Sequence, residues 1–181
     1  MDSKSNEITA IPALLAGLAL PGELVTIYAV GCQKAITQAI RDQQADYVIT
    51  VKGNQHHTLQ EVETWFEEHA FAVPTSLKPV LDAFDESHGR LTRRRVFVHA
   101  VPTELQVLED WPGIKSILAV ASIRMIKSHG VTTAEKRYFL SSVSVEDERQ
   151  IAAIMNDLYW KLHGESRTVP FPADEIQRVH P

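Results

Sequence analysis

Three consecutive arginines, Arg93-Arg94-Arg95, with Arg90 three residues before them, are the residues best suited to hold an anion. A guanidinium stays charged at any ordinary pH and presents a fork of donors that matches phosphate oxygens. On a strand, Arg94 points away from the face shared by Arg93 and Arg95. Two arginines on one face, with Arg90 nearby, would grip backbone phosphates. The plainer reading is a solvated ribbon with its charges turned to water.

Carboxylates and imidazoles also gather. Glu61, Glu63, Glu67 and Glu68 lie near His56, His57 and His69. His57 with Glu61, and Glu61 with Glu68, have helical i,i+4 and i,i+7 spacing, so one helical face could hold a metal. A solvated acidic helix accounts for the same residues. Asp82, Asp85, Glu86 and His88 form a similar group in a segment that reads as a loop. Cys32 follows a strand and opens a helix, where a thiolate gains some stabilisation. No histidine partner can be assigned to it, and a small residue at a helix start explains it equally well.

The elements that carry these residues follow from periodicity. Asn6 would cap a helix over 7–20 that contains Pro12, and Pro21-Gly22 ends it. Residues 23–29 and 46–51 are β-branched and apolar, as buried strands are. Ala35, Ile36, Ala39 and Ile40 between them have helical spacing. Strand, helix and strand in this order predict a parallel βαβ unit, whose ligands gather at the carboxyl ends of the strands. Residues 58–69 read as a polar helix. From Arg90 the period changes to two, and residues 116–127 and 135–142 read as further strands separated by the turn signals Trp111-Pro112-Gly113 and Ser128-His129-Gly130. Residues 145–162 return to a helix with Ile151, Ile154, Met155, Leu158 and Leu162 as its stripe, and the tail reads as irregular.

Composition narrows the class. The chain has 181 residues, 44% hydrophobic and 23% charged, which suits a globular domain and excludes a collagen-like or fully disordered chain. The apolar run at 11–20 is interrupted by Pro12 and Gly17 and is too short to cross a bilayer. The first residues lack a signal-peptide pattern, and a single cysteine excludes an internal disulfide, so a cytoplasmic setting is expected. The net charge of −5 hides a segregation. Residues 88–138 carry nine Lys/Arg against four acids, or +5, and the remainder carries −10. Such a block is a candidate phosphate surface.

Several blocks resemble bacterial insertion-sequence DDE transposases, in particular the H-repeat-associated group linked to Rhs elements. They are Ser-Lys-Ser-Asn-Glu-Ile-Thr-Ala-Ile-Pro-Ala-Leu-Leu from Ser3, Val25-Thr-Ile-Tyr-Ala-Val-Gly-Cys-Gln-Lys34 and Asp46-Tyr-Val-Ile-Thr-Val-Lys-Gly-Asn-Gln55. His88-Gly89-Arg90, Trp111-Pro112-Gly113 and Arg137-Tyr-Phe-Leu-Ser-Ser142 continue the match in order. The resemblance implies an α/β fold, an incomplete RNase H-like sheet with an inserted antiparallel β subdomain. The implied divisions are a partial RNase H-like region at 1–87, a β insertion at 88–144, a C-terminal helix at 145–163 and a tail at 164–181. It also implies an ancestral role in DNA transposition, with three acidic side chains holding divalent metal, Mg²⁺ in intact relatives, for in-line displacement at phosphorus.

The departures from that pattern bear on activity. The family's first Asp belongs upstream of the helix that opens this chain, so that ligand is expected to be absent. The family's second Asp, in Val-Thr-Ile-Asp-Ala-Met-Gly-Cys-Gln, is replaced here by Tyr28. A phenol, with a pKa of about 10, is neutral at pH 7 and a poor Mg²⁺ ligand. The last acid, a Glu in a motif like His-Trp-Gly-Ile-Glu-Asn, aligns with His163 in Tyr159-Trp-Lys-Leu-His-Gly164. No intact triad and no cofactor are therefore expected. Lys52 and Asn54 sit close to where an intact relative would handle DNA. The expectation is a transposase-derived, inactive protein. The alternatives are a residual DNA-binding module that uses Lys52, Asn54 and Arg90 with Arg93–Arg95, and a regulator that associates with itself or with an intact transposase through an exposed sheet edge. No membrane partner is expected.

Overall fold

The computed structural model describes residues 3–27, 32–87, 90–126, 128, 131–147, 151 and 155. Helix α1 (Ser3–Ala16) runs through Pro12 as one element, and Asn6, expected as its cap, lies inside it. Strand β1 (Leu24–Ile27), helix α2 (Lys34–Asp42) and strand β2 (Asp46–Val51) form the predicted unit, and β1 and β2 pair in parallel from Leu24–Asp46 to Ile27–Ile49. Helix α3 (His56–Phe66) widens into a π-helical turn at Glu67–Phe71. Strands β3 (Leu81–Ser87), β4 (Arg90–Ala100), β5 (Ser116–Ile126) and β6 (Val131–Ser141) then form an antiparallel ribbon.

The six strands make one mixed sheet in the order β1-β2-β6-β5-β4-β3. The ribbon joins the α/β half because β6 pairs antiparallel with β2, from Val48–Ser141 to Val51–Tyr138. The division expected between residues 87 and 88 falls between β3 and β4, two strands paired from Leu81–Val96 to Ser87–Arg90.

Strand alternation separates two apolar layers. Val25, Tyr47, Ile49, Phe97 and Ile117 face the helices, where Leu15, Ile36, Ile40 and Phe66 cover them. Val48, Val96, Leu118 and Val120 face the other side and meet Ile151 and Met155. Burial on both faces explains why β2 and the proximal half of β5 read as continuous apolar runs. Of the helix predicted over 145–162, the described residues show one 3₁₀ turn at Val145–Asp147, and Ile151 and Met155, both helical and buried. The other stripe residues lie outside the described set.

One polar network fixes the join between helix layer and sheet. Arg41 of α2 donates to the Asp46 carboxylate and, at 2.8 Å, to the Ala45 carbonyl. The buried Ser142 hydroxyl donates to the same carboxylate at 2.7 Å and accepts the Tyr47 N–H at 2.9 Å. The Tyr47 hydroxyl donates to the Pro112 carbonyl at 3.0 Å, which anchors the Trp111-Pro112-Gly113 turn. Gly113 has φ +64°, and a Cβ there would lie 2.9 Å from Arg41 Nε, so this turn requires glycine. Among the described residues no helix is long and apolar enough to cross a membrane.

Candidate functional site

The carboxyl ends of the parallel strands are the place where the sheet topology would gather a site. β2 ends at Val51, and Lys52 leads through a 3₁₀ turn, Gly53–Gln55, into α3. The side-chain amides of Asn54 and Gln55 donate to the Cys32 carbonyl at 3.3 and 3.1 Å. The end of β2 is thereby tied to the segment that leads into α2. Cys32 is buried, and burial pushes its thiol up to about 12, against the smaller opposing effect of a backbone hydrogen bond with Lys52. It is a packed thiol and not an activated nucleophile. Tyr28 and His163 lie outside the described residues.

These groups do not fit a hard divalent cation. Mg²⁺ takes oxygen ligands and is neutralised by carboxylates. The described donors at this strand end are a thiol, two amides engaged with a carbonyl, and a lysine. Among the described residues no three His, Cys, Asp or Glu side chains come together to hold a metal.

The acidic helix separates its candidate ligands. His57 Nδ1 and Glu61 Oε1 are 4.0 Å apart on the surface. Glu67 turns instead to the sheet, where Lys136 binds it and the Tyr138 hydroxyl donates to it at 3.2 Å. The His69 ring stacks on Trp65 with centroids 4.4 Å apart, and its Nδ1 bonds the Trp65 carbonyl at 2.8 Å. His99 packs on the same indole at 4.7 Å, and the indole N–H donates to Glu104 at 2.9 Å. The physical reason is the π turn. It winds the chain more loosely after Phe66, where Glu67 leaves the acidic face for Lys136 and Tyr138.

The second acidic group is not on a loop. Asp82, Asp85 and Glu86 belong to β3, where alternation puts Asp82 and Glu86 on one face and Asp85 on the other. Direct register places Asp82 opposite Arg95 and Phe84 opposite Arg93. Asp82 nevertheless reaches diagonally and binds Arg93 through both Nε and Nη2, at 2.8 and 2.6 Å. The Arg93 guanidinium holds the Asp82 carboxyl below the usual carboxylate range.

The arginines are therefore distributed between two surfaces. Arg93 and Arg95 share a face with Phe97, and their guanidinium carbons lie 5.1 Å from the Phe84 ring and 5.8 Å from the Phe97 ring. Arg94 is buried on the opposite face. By alternation the exposed Arg90 belongs to Arg94's face and not to that of Arg93 and Arg95. The three carboxylates of β3 also belong to this ribbon, so the +5 counted over 88–138 falls to +2 once β3 is included. The sequence carries a signal for the strand register: Asp82 and Arg95 are equally far along the chain from His88-Gly89.

No family model matches the chain. It is similar to an Escherichia coli K12 protein described as H repeat-associated putative transposase YhhI, 36% identical over 173 residues, covering 89% of this chain and 44% of that protein. H repeat-associated putative transposase YbfD of the same organism is 42% identical over 107 residues, covering 58% of this chain and 40% of the relative. An uncharacterised protein from the dhlA 3′ region of Xanthobacter autotrophicus is 37% identical over 142 residues, covering 78% and 46%. The chain spans less than half the length of each of these relatives.

Proposed function

Because this chain is related to the H repeat-associated putative transposases, we propose that it is a transposase-derived protein of an insertion sequence whose sheet has lost the metal-dependent chemistry of DNA transposition. The observation that carries this reading is Tyr28, a phenol directly after β1 where the family motif has its second Asp. The non-acidic donor set around Cys32, Lys52 and Asn54 supports it. The parallel β1–α2–β2 unit, with α1, α2 and α3 on one face and an antiparallel ribbon entering beside β2, supports the RNase H-like ancestry. A nicking and strand-transfer assay on supercoiled DNA with Mg²⁺ or Mn²⁺ tests it. No turnover is expected, and Tyr28→Asp alone does not restore it. Metal-dependent turnover by the unaltered chain overturns the reading.

The second reading, residual DNA affinity, is favoured by β4, which carries Arg90, Arg93, Arg94 and Arg95. Duplex binding followed by fluorescence anisotropy at several salt concentrations tests it. A phosphate-gripping surface gives a steep fall of log K with log salt. A folded protein that ignores DNA at low salt removes this reading.

A further inference from the structure

We draw no further inference here: the strongest candidate, the surface patch on the β3–β4–β5 ribbon where Phe84, Ile123 and Met125 are exposed on one face of the sheet, carries nothing because nothing in the structure shows what covers it.

Discussion

The Asp82 carboxylate binds Arg93 rather than Arg95, the residue directly opposite it, with both oxygens engaged at 2.8 and 2.6 Å. The Arg93 fork is thus already occupied by an acid from the neighbouring strand. Any DNA affinity of this face competes with that pair.

Asp82→Asn releases Arg93. If the ribbon binds duplex DNA, the variant binds more tightly, and its salt dependence steepens by about one phosphate contact, a slope change of roughly 0.9. Anisotropy titrations of the two proteins at matched salt concentrations check this. An unchanged slope means that Arg93 does not face DNA.

Acid weakens the fold through two carboxylates. Arg93 lowers Asp82, chiefly by its hydrogen bonds, and Glu104 is lowered by its own backbone N–H and then by the Trp65 indole N–H. A carboxyl with a depressed folded value contributes stability that is whole above the unfolded value of about 4 and is lost as pH falls through the folded value. Melting temperature is expected to fall as pH drops below about 4, and the double variant Asp82→Asn with Glu104→Gln flattens that limb. The loss is small because both groups are solvent-screened.

Base acts through Cys32. Its thiol is pushed up to about 12 by burial, so the folded state keeps the proton that the unfolded state releases. This contribution is whole below the unfolded value of about 8.5 and is lost as pH rises towards 12. At pH 8 the native protein reacts slowly with iodoacetamide and the urea-unfolded protein quickly. Fast native labelling would contradict the packed thiol.

The Trp111-Pro112-Gly113 turn depends on two side chains. Tyr47→Phe deletes the hydrogen bond to Pro112 and costs about 1 kcal/mol in urea unfolding. Gly113→Ala places a Cβ at positive φ and 2.9 Å from Arg41 Nε, and costs about 1–3 kcal/mol. Phe66→Ala, which empties a fully buried site under the helix layer, costs more than either, about 3–5 kcal/mol.

The sequence by itself determined the elements whose signal is local. The βαβ unit followed from two β-branched runs and the helical spacing of Ile36 and Ile40, and β4, β5 and β6 followed from period-two patterning and turn residues. Motif blocks carried the resemblance to transposases, because order and spacing are properties of the chain alone. β3 escaped because Leu-Asp-Ala-Phe-Asp-Glu-Ser has too little apolar content to read as a strand. Its stability comes from pairing with β4, a long-range partner that no local window contains. The same limit applied to the site. That Arg93 is occupied by Asp82 and that Glu67 turns to Lys136 and Tyr138 are facts of cross-strand register and of the π turn. Side-chain type sets what each residue is able to do, and only tertiary pairing decides which neighbour uses that capacity first.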